Sequence, residues 1–202
     1  MSSGSRETEI KLRVPSAAGA RDLLRKTGFR LFRKRVFESN TVFDTRDFSL
    51  RRSGRLLRIR LAGRKSTLTY KGAAKPGVHK SRQEIEMETS DPQTLARIFS
   101  LLGFLPVFRY EKYRAEFHEP SGGGIVMLDE TPVGVFLELE GAPRWIDRTA
   151  RRLGFQKSDY ITDSYGRLYF LWSEERGEHP THMVFGAGRA ASSRSKAARA
   201  RR

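Results

Sequence analysis

Charge returns every second residue along much of this chain. Arg58 and Arg60 are interleaved with Leu57, Ile59 and Leu61, Lys112 and Arg114 with Tyr113 and Ala115, and Glu138 and Glu140 with Leu137 and Leu139. Glu7, Glu9 and Lys11 keep the same step, as do Thr69 and Lys71, and Arg82, Glu84, Glu86 and Glu88. A strand projects residues i, i+2 and i+4 from one face, so each run becomes a strand with a charged side. For one strand this means no more than the solvated face of a one-sided sheet. Several such strands, read with the helical segments between them, constrain the chain further. The helices need an apolar sheet surface to cover, which points the charged faces inward. The sheet then closes, or nearly closes, around a polar bore.

The intervening segments fit that plan. Ser16 is placed to cap a helix running to Lys26, with Leu23 and Leu24 on its buried side and Gly28 as its stop. Residues 29–45 read as extended. Residues 55–61 and 66–72 make a hairpin about 62–65, followed by a Gly/Pro loop over 73–79 and a strand over 81–89. Asp91 caps a helix carrying Leu95, Ile98, Phe99 and Leu102 at steps of three and four. Residues 107–117 and 124–129 pair through Pro120-Ser121-Gly122-Gly123, residues 134–141 add a strand, and 144–153 and 164–172 are helical in pattern. The fold class is α+β, mainly antiparallel β, with helices outside.

Composition narrows the chemistry. Hydrophobic residues make up 38% of the 202, enough for a packed core. Cysteine is absent, which excludes disulfides, thiolate nucleophiles and zinc-finger or iron–sulfur ligation. No apolar run approaches the ~20 residues of a membrane helix, and the start of the chain is short and polar, so a cytoplasmic protein is expected. The net charge of +16 points to a polyanionic partner. Residues 176–202 contain seven basic residues and one acid, and lack Leu and Ile, which reads as a disordered basic tail after a domain over 1–175. A nucleic-acid contact is expected only through that tail.

The charges of the bore fall into two sets. Arg58, Arg60, Lys71, Lys112 and Arg114 form a basic set, and Glu7, Glu9, Glu138 and Glu140 an acidic one. A ring of Arg and Lys binds clustered phosphates, and carboxylates bind Mg²⁺ or Mn²⁺, which prefer oxygen ligands and phosphate bridges. The motifs are Glu7-Thr8-Glu9-Ile10-Lys11, Phe43-Asp44-Thr45, Leu57-Arg58-Ile59-Arg60, Leu68-Thr69-Tyr70-Lys71-Gly72, Ser81-Arg82-Gln83-Glu84-Ile85-Glu86, Glu111-Lys112-Tyr113-Arg114, and Leu128-Asp129-Glu130 with residues 134–140. In that order they resemble the strands of the CYTH superfamily, the triphosphate tunnel metalloenzymes, over about residues 7–172.

The resemblance implies an eight-stranded antiparallel tunnel that holds a triphosphate. It implies a metal-binding set of Glu7, Glu9, Asp129, Glu138 and Glu140, and a phosphate-binding set of Lys11, Arg58, Arg60, Lys71, Arg82, Lys112 and Arg114. Glu84 is expected to pair with a tunnel Arg, and Glu86 to lie near the rim. Two reactions fit the tunnel. A metal-activated water attacks a terminal phosphorus of tripolyphosphate, thiamine triphosphate or a nucleotide, with Lys112 setting up the water. Alternatively, the ribose 3′-hydroxyl of ATP attacks the α-phosphorus, as in class IV adenylyl cyclases. Hydrolysis is the favoured reading, since water needs no nucleoside pocket. One departure bears on it: Val42 stands where some family members carry Tyr before the F-D-T segment. A reading of another class is a basic nucleic-acid-binding module, against which the clustered carboxylates count. A monomer or a homodimer is expected. Gly186 to Ala191 superficially resembles a dinucleotide-binding turn but has no preceding strand. His179 and His182 flank a proline and read as loop, and His118 as a strand-end side chain.

Overall fold

The computed structural model describes residues 5–120 and 122–186. Eight strands carry the fold: β1 (Ser5–Val14), β2 (Arg30–Asp44), β3 (Leu56–Ala62), β4 (Lys65–Lys71), β5 (Lys80–Glu88), β6 (Leu105–His118), β7 (Gly124–Thr131) and β8 (Gly134–Gly141). They close into a barrel in the order β1-β5-β4-β3-β2-β6-β7-β8, every pair antiparallel. The helices are α1 (Ala17–Lys26), α2 (Ser49–Arg52), α3 (Pro92–Leu101), α4 (Pro143–Arg152) and α5 (Tyr165–Glu174). Ser16 and Asp91 cap α1 and α3 by accepting from the Gly19 and Thr94 amides. None of the described helices is long and apolar enough to cross a membrane.

Apolar positions of the strands face outward, as the alternation requires. Ile10, Leu12, Val126, Leu128, Leu137 and Leu139 pack against Leu24 of α1 and Trp145, Ile146 and Ala150 of α4. Phe43 and Ile59 pack under Phe99 of α3. Close approach of α4 demands glycine beneath Trp145: a Cβ at Gly124 would lie 2.5 Å from its ring. The α2 turn, which the sequence pattern does not reveal, is held by Asp44. Its carboxylate accepts from the Thr45, Leu50 and Arg51 amides at 2.8–2.9 Å, so the aspartate of the F-D-T segment caps a turn.

A further apolar cluster lies at one end of the barrel. Tyr110, Val133 and Phe136 meet Tyr165 of α5 and Met183, with Val42, Phe108, Tyr169 and Trp172 around them. Tyr110 and Phe136 are interior positions by register, each two residues along its strand from a charged lumen residue, so this cluster stops that end of the bore.

The expected boundary at 175 needs correction. Residues 176–186 return to the barrel: Met183 is fully buried, its amide donates to the Arg109 carbonyl, and its carbonyl accepts from the Glu111 amide. The segment lacks Leu and Ile, but Met183 and Phe185 supply the apolar anchors, Phe185 packing on Tyr113. Residues 187–202, the rest of the expected tail, lie outside the described residues.

Candidate active site in the barrel lumen

Register brings the expected residues into one lumen. Glu7 pairs with Arg82, Glu9 with Glu140, and Lys11 with Glu138. Thr69 lies between Arg58 on one side and Glu86 on the other, and Lys71 lies opposite Glu84. Arg114 faces Asp129, and Arg60 faces Asn40. All twelve site residues named from the sequence fall on this interior face.

The basic and acidic sets, separate in sequence, are interleaved in space. Lys71 donates to both oxygens of Glu7 at 2.7 Å and lies 3.0 Å from Glu84. Arg82 reaches Glu7 at 3.3 Å, and Lys80 reaches Glu9 at 3.3 Å. Lys11 joins Glu9 at 3.2 Å to Glu138 at 3.1 Å. Arg114 bridges Glu138 at 2.7 Å and Asp129 at 2.6 Å, and Lys112 lies 2.9 Å from Asp129 and 3.7 Å from Glu38. Arg58 and Arg60 both meet Glu86 at 3.4 Å. Each expected phosphate-binding cation is therefore held by a carboxylate. The net positive charge of the chain resides mainly outside the lumen, so it is not what marks the site.

Glu84 pairs with Lys71 rather than an arginine. Glu86, 38% exposed along its side chain, marks the open rim. Five lumen residues escape the sequence reading, Asn40 among them. Lys80 is the first residue of the Arg82–Glu84–Glu86 face, and Glu38 belongs to an alternating set with Asn40 and Val42. Tyr110 accepts from Arg58 at 2.8 Å, and Tyr165 donates to Asp129 at 2.7 Å. The Tyr165 ring lies 5.1 Å from Lys112 Nζ and 5.2 Å from Lys11 Nζ. A lysine–tyrosine pairing that Val42 cannot offer thus comes from α5.

Titration behaviour divides the lumen. Burial, then repulsion from Glu9, pushes Glu7 up to about 7 despite Lys71. Burial, then Glu138 and Glu84, pushes Glu140 up to about 7. Burial lowers Lys80 to about 8, against the pull of Glu9. Burial also opposes ionisation of Glu9, Glu138 and Asp129, but the neighbouring cations outweigh it and hold all three below the usual carboxylate range. At the open pole the carboxylates Glu7, Glu9, Glu84 and Glu140 outnumber the cations Lys71, Lys80 and Arg82 beside them.

That pole fits a hard divalent cation in its donor chemistry, with Glu7, Glu9 and Glu140 as oxygen donors. Among the described residues no three carboxylates are already gathered into a coordination shell. A cation would have to take the place of the Lys71 and Lys80 ammonium groups. Asp129 differs: Arg114, Lys112 and Tyr165 occupy its oxygens, so it anchors cations in the chain as it stands. Glu138 is likewise tied to Lys11 and Arg114. Open clefts of about 720 and 640 Å³ lie elsewhere, lined by Arg144, Arg148, Arg151 and Arg152 and by Arg25 and Arg30. Neither contains the lumen's ion-pair network, and neither is taken as the site.

A closed eight-stranded antiparallel barrel with an interior of alternating Lys/Arg and Asp/Glu, helices outside and one end stopped defines a tunnel-type protein. Comparison with protein families identifies the same class, the CYTH domain matching residues 5–165. The chain belongs to the CYTH family. It is 32% identical over 134 residues to the Methanocaldococcus jannaschii protein named "Putative adenylate cyclase MJ0240", covering 66% of this chain and 75% of that protein. The structure of the PH1012 protein of Pyrococcus horikoshii OT3 is similar at 25% identity and TM-score 0.68, over 80% of this chain and 98% of the other. A Hippeastrum protein described as a "Putative adenylyl cyclase" with a dominant triphosphatase activity shares the fold at 23% identity and TM-score 0.59, over 86% and 97% of the two chains.

Proposed function

We propose that the chain is a divalent-metal-dependent triphosphatase whose lumen binds tripolyphosphate or the triphosphate of an organic substrate. The observation that carries this reading is the pairing of each lumen cation with a carboxylate. A buried unpaired Lys or Arg costs several kcal/mol, so such cations are kept paired until an anion replaces the partner. A triphosphate entering from the rim exchanges with the carboxylates for Arg60, Arg82, Lys71, Arg58, Lys11, Lys112 and Arg114. The guanidinium forks match phosphate oxygens. The released carboxylates of the open pole would then hold Mg²⁺ or Mn²⁺, which would neutralise phosphate charge when bound.

The residues themselves position and neutralise. Arg58, fixed by Tyr110 and Thr69, is a rigid contact for phosphate oxygens, and Arg114, handed over by Asp129 and Glu138, is a second contact. Lys112, released from Asp129 and steadied by the Tyr165 ring, is the candidate for directing the attacking water. The dominant triphosphatase activity of the Hippeastrum protein supports hydrolysis. The name of the M. jannaschii relative supports the other reading, a cyclase of ATP.

The test is product analysis with Mg²⁺ or Mn²⁺. Tripolyphosphate, and separately ATP, are incubated with the protein, and orthophosphate, pyrophosphate and cyclic AMP are resolved. Faster turnover of tripolyphosphate to orthophosphate is expected. Equal yields of cyclic AMP and pyrophosphate from ATP, with tripolyphosphate merely inhibiting, would establish the cyclase instead.

A further inference from the structure

One wall of the lumen is under-satisfied. Asn40 is fully buried, and both atoms of its amide lack a hydrogen-bond partner. Glu38 Oε2 and Arg58 Nε are also buried without a hydrogen bond. The three residues are neighbours on β2 and β3. Glu38 and Asn40 share the interior face of β2, and Arg58 lies across from Val42 on the same face. Asn40 faces Tyr110 on its other side, and Glu38 faces Lys112. Leaving one such atom unpaired costs about 1–3 kcal/mol. A concentration of them beside a polar bore marks a place for a ligand group.

Donor and acceptor counting identifies the group. Phosphate oxygens only accept at neutral pH. They would satisfy Arg58 Nε and the Asn40 Nδ2 donors but leave Asn40 Oδ1 and Glu38 Oε2 unpaired, with Glu38 repelling them. An oxygen that both donates and accepts, a water or a substrate hydroxyl, suits the Asn40 amide and the Glu38 carboxylate together. Lys112 stands 3.7 Å from Glu38 Oε2, close enough to share that oxygen. The wall lies across the barrel from the carboxylate pole of β1 and β8, leaving the phosphate chain between the two.

We infer that Glu38 and Asn40 seat the attacking water of the triphosphatase. The inference rests on the function proposed above. The water oxygen accepts from Asn40 Nδ2 and donates toward Glu38. Its lone pair attacks the terminal phosphorus, the bond from that phosphorus to its bridging oxygen breaks, and the bridging oxygen leaves on the diphosphate. The water proton passes to Glu38, and the products are orthophosphate and diphosphate. Glu38 and Asn40 are catalytic residues in this sense, because they touch the reacting oxygen.

The seat predicts a divergence between stability and rate. Asn40→Leu removes a polar group that has no protein partner, so the folded variant is expected to melt no lower than the parent. Its kcat on tripolyphosphate falls about 100-fold, the usual loss for one positioned polar contact to a reacting oxygen. KM stays within about threefold, since the phosphates are held elsewhere. Glu38→Gln is the second variant, and Asn40→Ala stands in if leucine overpacks. Each is assayed for kcat and KM on tripolyphosphate and on ATP, with thermal melting alongside. Equal loss on both substrates places water in the seat. Loss confined to ATP assigns the seat to a ribose hydroxyl and overturns the inference. An unchanged kcat for Asn40→Leu, or a loss that appears only in KM, also overturns it. A parent protein inert toward both substrates removes the proposed function itself, an outcome read before any variant is made.

Discussion

Glu140→Gln should stabilise the metal-free protein at pH 8 and do so much less at pH 5. The reason is the crowding of carboxylates at the open pole. Burial, Glu138 and Glu84 lift Glu140 from its ordinary 4.5 to about 7. The folded state therefore binds a proton that the unfolded chain has released between those values. Stability contributed by this group is intact below about 4.5 and is lost as pH rises through about 7. A shift of that size corresponds to about 3 kcal/mol against the ionised form. Relaxation and water entry at the half-open rim lower the realised figure to about 1–2 kcal/mol. For a domain of this size that is about 2–8 °C in Tm. Glutamine keeps the shape and removes the charge, so the variant avoids the cost. The measurement is thermal or urea denaturation of the full chain with chelator present, at pH 5 and pH 8, repeated with millimolar Mg²⁺. The parent should gain more from Mg²⁺ at pH 8 than the variant does. A variant less stable than the parent at pH 8, or a difference independent of pH, would refute the account of the pole.

Three further outcomes follow from the geometry. Gly124→Ala would put a Cβ 2.5 Å from the Trp145 ring and 2.6 Å from the Glu140 carbonyl, and should cost more than about 2 kcal/mol in denaturant titrations. Met183→Ala should cost about 2–5 kcal/mol, because the side chain is wholly buried in the stopping cluster; ending the chain after residue 175 should be as damaging, whereas ending it after 186 should spare the melting temperature. Tyr165→Phe removes a 2.7 Å hydrogen bond to ionised Asp129 and should lower stability by about 1.5–3 kcal/mol, with Asp129 still held by Arg114 and Lys112; an unaltered melt would show that the hydroxyl does not support the lumen.

The strands and their inner faces were legible because the alternation is strict where one side of a strand must meet charge and the other a helix. β8 matches its expected limits at residues 134–141. Arg58, Lys71 and Glu138 could be assigned to the bore from parity alone. Ion-pair partners could not, because partner choice depends on which strands become neighbours, and β1 joins β5 and β8 rather than β2. Glu38 was hidden by an exposed, bulged beginning to β2, where register shifts break the alternation before it. Lys80 fell between the loop expected over 73–79 and the strand expected over 81–89, although it continues the Arg82 face. Tyr165 had no signal at all: its place at the start of a helix says nothing about a hydroxyl that reaches into a barrel. The boundary at 175 failed because a composition poor in Leu and Ile concealed one methionine with a pocket waiting for it.

The apolar stop formed by Tyr110, Phe136, Tyr165 and Met183 turns the bore into a cul-de-sac. Whatever enters past Glu86 must back out the same way. A long linear chain cannot thread through and be cut along its length; only its end can be admitted, to a fixed depth. In the proposed reaction, departing product and arriving substrate would share one doorway.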